Sequence, residues 1–256
     1  MKRRPHSFKK ERPIYLKKSF WFGVLIVLFL AGAIYLIFFT PYFKLKKIEI
    51  GGNQKILTKD IAAKVDGLFH IEDYIFSVRP EKVRQEILRS FPQAANVKTE
   101  FKALDSVFIF VEERKPAAVF CQNEECFLVD EEGIIFEKIL QEDSGILSVI
   151  NNYFIKKEAI LGEEMLSGED ISKILKFNES LVKIEISVSE FRIISKEKIE
   201  IATKEGWDIF VNFQNDIDWQ MVKLEAVLAE KIPSEKRSGL EYIELRFGNL
   251  APFKYR

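Results

Sequence analysis

Twenty consecutive residues without a charge, Phe20 to Phe39, limit what this chain can fold into more than any other feature. As a helix they would be about 30 Å long, the thickness of a bilayer's hydrocarbon core. The wider stretch 19–40, SFWFGVLIVLFLAGAIYLIFFT, carries Trp21 and Tyr35 near its ends, where amphipathic rings suit the membrane–water interface. A cleaved signal peptide is the alternative, because Ala31-Gly32-Ala33 has the small-x-small form of a cleavage site. Residues 34–39 stay fully apolar, which favours an uncleaved anchor. Residues 1–18 hold eight Lys or Arg against Glu11, a net +7, and the formal charge of the whole chain is zero. Five lysines (Lys44, Lys46, Lys47, Lys55, Lys59) lie in the twenty residues after the span, so the basic bias puts the N-terminus in the cytoplasm and the body outside. A basic tail ahead of a mildly acidic body gives no sign of nucleic-acid binding. The tail is read as a topology signal with attraction to lipid headgroups.

Beyond the span, 47% apolar residues in the chain suffice for a buried core. FKLKKIEI, residues 43–50, reads as a strand, followed by a turn at GGNQKIL. Thr58 is placed to cap a helix over 58–65, with Asp60 in its first turn and Asp66-Gly67 at its end. Pro80 suits the first turn of a second helix, whose apolar face is Val83, Ile87, Leu88 and Phe91, and Pro92 stops it. Strands are expected over 95–102 and 106–113. The order β-α-α-β-β predicts a three-stranded sheet with two helices on one face.

After that come a hairpin around Asp130 and Gly133, a helix over 167–183 capped by Ser167, and strands over 183–195, 198–203 and 207–213. A helix over 215–232 and a strand over 240–247 follow. In that strand Tyr242, Glu244 and Arg246 share one face, and Ile243, Leu245 and Phe247 the other. The fold class is therefore α+β: one N-terminal transmembrane helix, a β-α-α-β-β domain, then a mostly antiparallel β domain with two helices.

Several stretches together resemble the FtsQ/DivIB family of bacterial cell division proteins. Ile48-Glu49-Ile50-Gly51-Gly52-Asn53, Pro92 with Ala95 and Val97, and Val111-Glu112-Glu113-Arg114-Lys115-Pro116-Ala117 are similar to the POTRA module of that family. The extra Gly and the two Ala after Pro92 depart from its pattern. Residues 127–136, FLVDEEGIIF, resemble a second family motif, and Tyr242-Ile243-Glu244-Leu245-Arg246-Phe247 a third. The resemblance implies a tail at 1–18, a span at 19–40, a POTRA-type domain at 43–114 and a β domain at 115–256. It also implies a non-catalytic scaffold without cofactors in the inner (plasma) membrane at the division septum. There the second domain captures FtsB-like and FtsL-like proteins and, through them, supports the septal synthase FtsW and its transpeptidase. Carried over by position, the partner-contacting residues would be Tyr242, Glu244, Arg246, Phe247, Gly248, Asn249 and Leu250. With no later strand recognised to cover strand 240–247, its free backbone edge is the expected docking edge. Pro252, lacking an N–H, is expected to end pairing near there.

The residue inventory points the same way. His6 and His70 are the two histidines, which leaves no material for a His-dependent triad or a His-rich metal site in the outer domain. The acidic pairs Glu112-Glu113, Glu124-Glu125 and Glu131-Glu132 read as solvated turn and strand residues rather than the separated carboxylates of a glycosidase. Gly51-Gly52-Asn53 is a turn, not a phosphate loop. Cys121 and Cys126 flank QNEE. If Phe120 and Phe127 lie in paired strands, the two thiols face each other within disulfide range, and the outward orientation supplies the oxidising compartment. Two free buried thiols are the alternative. An anchored envelope hydrolase and an outer-membrane assembly factor are the competing functional classes; the latter would need a transmembrane barrel of many strands.

Overall fold

The computed structural model describes residues 18–140, 145 and 147–256. Most of the basic tail lies outside them. Helix α1, Lys18–Phe39, contains the apolar run Phe20–Phe39, which has a mean hydropathy of 2.8 and is not buried by the rest of the protein. A helix apolar all round and uncovered by protein needs a lipid environment.

The first sheet has the order β1-β3-β2, from β1 (Lys47–Gly51), β2 (Ala94–Ala103) and β3 (Ser106–Glu113). β1 runs parallel to β3, and β2 antiparallel to it. Helices α2 (Thr58–Asp66) and α3 (Pro80–Ser90) bury Ile61, Val65, Val83 and Ile87 against Val97, Val107, Ile109 and Val111. Alternation puts these β3 valines and isoleucine on one face, which is why the strand was legible. Two local expectations are corrected. The first strand starts at Lys47 rather than Phe43, because Pro41–Phe43 forms a tight 3₁₀ turn. Thr58 does not cap α2: Leu57 holds that position, and the Thr58 hydroxyl accepts from Asn53 Nδ2 at 3.0 Å.

The motif residues around this sheet have structural duties. Gly52 has φ +88°, and a Cβ there would meet the Val111 carbonyl oxygen at 2.5 Å. Glu113, expected to be merely solvated, accepts from the backbone N–H groups of Gln54, Lys55 and Ile56 at 2.7–3.0 Å. Burial opposes its charge, but the N–H groups of Ile56, Lys55 and Gln54 and the Lys55 ammonium outweigh that, so its pKa is lowered. Arg114 closes the junction to the second sheet. Its N–H bonds the Gln93 carbonyl at 2.7 Å, its Nε the Pro92 carbonyl at 3.2 Å, and its Nη1 the Asp130 carboxylate. Asp130 also accepts from the N–H groups of Glu132 and Ile134, which shapes the acidic turn.

The second sheet has nine strands in the order β12-β11-β10-β9-β8-β7-β4-β5-β6. They are β4 (Ala118–Gln122), β5 (Glu125–Val129), β6 (Ile135–Ile139), β7 (Ser148–Asn152), β8 (Val188–Ser195), β9 (Lys198–Thr203), β10 (Asp208–Val211), β11 (Leu240–Glu244) and β12 (Phe253–Tyr255). Five neighbouring pairs are antiparallel, while β4/β7, β7/β8 and β10/β11 are parallel. Helix α4 (Gly168–Lys183) crosses from β7 to β8, and α5 (Ile217–Glu230) from β10 to β11. The two crossovers step the same way along the sheet between strands of the same direction, so a shared hand puts both helices on one face. Lys176 of α4 pairs with Asp218 of α5 at 2.6 Å. The caps are the expected kind: Ser167 accepts from the Asp170 N–H, and Asp216 from the Trp219 N–H. Phe177, Leu181, Phe191, Ile201, Trp207 and Ile243 lie at the centre of this core. The strand expected to start at Lys183 begins at Val188, because α4 runs on to Lys183.

At the other end of the sheet, β4 and β5 meet through a two-residue turn in which Asn123 and Glu124 both have positive φ. That turn matches the twist of a tight hairpin and brings Cys121 opposite Cys126. The two are joined by a disulfide with Cα atoms 4.1 Å apart. The bond is buried with Val119, Leu128, Phe136 and Val149 in a small cluster separate from the main core.

Candidate docking surface

The face of the sheet opposite α4 and α5 is different in character over β8–β11. Alternation turns Phe191, Ile193, Ile199, Ile201, Ile209 and Val211 inward and leaves Arg192, Glu200, Phe210 and Tyr242 outward. Arg192 ion-pairs with Glu190 and Glu200 at 3.3 Å and with Asp208 at 2.5 Å. Burial raises the Asp208 pKa, as do the charges of Glu200 and Glu190; Arg192 offsets part of this without reversing it. Phe210 stacks on Tyr242 with centroids 4.9 Å apart, and the Lys198 ammonium sits 4.4 Å above the Phe210 ring. Half-buried arginine and stacked aromatic rings are the composition of binding hot spots rather than of a solvated sheet face.

The residues picked out on strand 240–247 divide into three groups. Tyr242 is in the aromatic stack just described. Glu244 is buried at 6% exposure and holds Arg246, which donates from Nε at 2.8 Å and Nη2 at 2.6 Å. The Arg246 guanidinium then lies 5.1 Å from the Phe247 ring. Phe247 itself is a correction: it does not pack inward with Ile243 and Leu245 but is 59% exposed. The ladder stops at Glu244, and the chain turns through Arg246 to Asn249, with Gly248 at φ +36°. Once alternation ends, the face assigned by parity no longer applies.

The second correction concerns the edge. β11 is not the rim of the sheet, because residues 253–255 fold back and pair with it antiparallel, Tyr242 opposite Lys254 and Ile243 opposite Phe253. Pro252 does not end the pairing; its carbonyl accepts from the Glu244 N–H at 2.8 Å, an exchange that needs no proline N–H. Among the described residues, the rim on this side of the sheet is therefore β12. Since Pro252 and Arg256 bond toward β11, alternation turns the N–H and C=O groups of Phe253 and Tyr255 outward, where the sheet ends.

Behind this rim lies a groove of about 650 Å³ between α5 and residues 249–253. Trp219 and Val222 of α5 line one wall at 46% and 51% exposure, and Leu250, 72% exposed, lines the other with Asn249. One residue that sequence reasoning missed holds the groove's shape. Lys223 is only 6% exposed, and its ammonium donates to the carbonyls of Leu245 at 2.5 Å and Gly248 at 3.1 Å. Burial lowers its pKa, with Glu244 acting the other way. Its spacing with Gln220, Leu224 and Val227 marks it as a core-facing position, a signal the sequence did contain.

Among the described residues, the buried polar side chains are Asp130, Asn152, Thr203, Gln220, Lys223 and Glu244. Each is engaged in hydrogen bonds that shape a turn or tie down a loop. No group of three or more His, Cys, Asp or Glu among the described residues could hold a metal ion. What this part of the molecule offers is a free strand edge, an apolar groove and an arginine-aromatic face, side by side.

Residues 43–114 match the family model of the FtsQ-type POTRA domain. No curated protein matches the chain.

Proposed function

Because residues 43–114 are a POTRA domain of the FtsQ type, and the chain with the apolar helix ahead of that domain fits the FtsQ/DivIB family, we propose that it is a non-enzymatic, single-pass scaffold of the bacterial division complex. In this reading residues 1–18 are cytoplasmic, 19–40 span the inner membrane, and the POTRA domain and residues 115–256 lie outside, at the septum. The second domain binds an FtsB-like protein and through it an FtsL-like one, and the assembly supports the septal synthase FtsW and its transpeptidase.

The observation that carries this reading is the unpaired outer edge of β12 beside the Trp219–Leu250 groove and the exposed Phe247. A partner strand added along Phe253–Tyr255 would take up outward N–H and C=O groups, and flanking apolar side chains would enter the groove. Strand addition is thus assigned to β12, one strand beyond the one expected from sequence. The structural hydrogen bonds of the buried polar side chains also favour a scaffold over an envelope hydrolase.

Full-length protein in detergent, incubated with the organism's FtsB-like protein, tests the assignment by co-purification. Tyr255→Pro removes an outward N–H from the rim without touching the β11 ladder, and Phe247→Glu places a charge beside it. Both variants should lose capture while keeping the urea midpoint of the wild type. Undiminished capture by both would remove this edge from the mechanism.

A further inference from the structure

The span does not end in a free linker. Lys44, five residues past the end of α1, forms a β-bridge with Tyr74, a residue of the loop between α2 and α3. The Leu45 N–H bonds the Asp73 carbonyl at 2.7 Å, and the Glu72 N–H returns to the Leu45 carbonyl at 2.8 Å. Tyr74 reaches further back: its hydroxyl donates to the carbonyl of Phe38, inside the last turn of α1, at 2.5 Å. Its ring stacks on Phe76 at 5.1 Å, and Phe38 sits edge-on to both rings at 6.3 and 5.8 Å.

These contacts fix a depth. Five extended residues reach at most about 17 Å. The 3₁₀ turn at Pro41–Phe43 rises only about 2 Å per residue, so the bridge lies nearer than that. The headgroup layer of each leaflet is roughly 5–8 Å thick. A side chain bonded to the backbone of Phe38 is therefore level with that layer or below it. The same end of the domain exposes apolar side chains that the protein leaves uncovered: Tyr42 at 66%, Ile71 at 58%, Phe76 at 53%, and Leu104 at 60%. Leu104 belongs to the β2–β3 turn, which is tied to the stem by the Lys46 N–H on the Asp105 carbonyl.

We propose that the α2–α3 loop, through Ile71, Tyr74 and Phe76 with Leu104 beside it, lies in the lipid headgroup layer and sets the tilt of the POTRA domain on the bilayer. The occupant is the bilayer in which α1 is anchored, because the patch continues directly from the span. The charges at this end are mixed, Lys44 and Lys46 standing with Glu72, Asp73 and Asp105. Docking is therefore apolar and aromatic, and independent of anionic lipid. The inference rests on reading α1 as a membrane anchor.

Full-length protein in nanodiscs of zwitterionic phosphatidylcholine separates the two. Cys121 and Cys126 are joined, so a single introduced cysteine carries an environment-sensitive fluorophore. The sites are Leu28→Cys in α1, Ile71→Cys in the loop, and Leu57→Cys, which is 54% exposed at the far end of the domain. The Ile71 label should emit to the blue of the Leu57 label, be quenched by lipids spin-labelled near the headgroup, and resist water-soluble quencher. Adding anionic lipid should change nothing. Quenching of the Leu28 label by lipids spin-labelled deep in the acyl chain, with an Ile71 label open to water, overturns the proposal and leaves the anchor standing. An Ile71 label shielded from both quenchers overturns it in favour of a protein contact. An unquenched Leu28 label removes the anchor and this inference with it.

Discussion

The ammonium of Lys223 lies 2.5 Å from the carbonyl oxygen of Leu245, so a cation buried in α5 holds the end of β11. Without it, the carbonyl of the buried Leu245 would lose the donor that Lys223 supplies. Lys223→Met keeps the hydrocarbon stem and removes the donor. It should destabilise the protein by about 1–3 kcal/mol and speed amide exchange over residues 245–250. Urea denaturation with exchange mass spectrometry measures both, and unchanged exchange in that segment would leave Lys223 without the role assigned to it.

Arg114 and Asp130 form an ion pair with both side chains at 9% exposure, between the two sheets. Breaking a buried pair from one side leaves an uncompensated charge, at a cost of about 3–5 kcal/mol. Arg114→Met should therefore split unfolding into two transitions, the three-stranded sheet with its helices separating from the nine-stranded sheet. A single transition at the wild-type midpoint would contradict this.

Glu113 supplies the pH dependence. Its folded pKa lies below the ordinary 4.5, so its contribution is present above that value and is lost as pH falls through the lowered folded one. Glu113→Gln should be less stable than wild type at neutral pH, with the gap closing in strong acid. Denaturation curves of the two proteins from neutral to acid pH make the comparison. A gap that widens on acidification would reverse the sign argued here.

The Cys121–Cys126 bond closes a short loop, so its entropic effect is limited to about 2 kcal/mol. Alkylation before and after reduction should give a mass shift only after reduction. The reduced protein should remain folded at 25 °C with a lower urea midpoint. Alkylation without reductant would show free thiols instead.

How far the sequence reached differs from element to element. The apolar run of α1, the cap at Ser167, the start of α3 at Pro80 and the alternation of Ser106–Glu113 depend on contacts within a few residues, and the sequence determined them by itself. The opposition of Cys121 and Cys126 followed as well, because a hairpin this short allows little other register. Tertiary structure decided the rest. Ser148–Asn152 is short and ends in two asparagines, and it becomes β7 because β4 and β8 offer it parallel partners on both sides. Phe253–Tyr255 is three residues with no period of its own, and it is a strand because the turn from Arg246 to Pro252 lays it along β11. That long-range return moved the free edge of the sheet from β11 to β12, turned Phe247 outward, and made a buried clamp of Lys223. Parity along a strand predicts faces while the ladder lasts; where the ladder stops is set by partners distant in sequence.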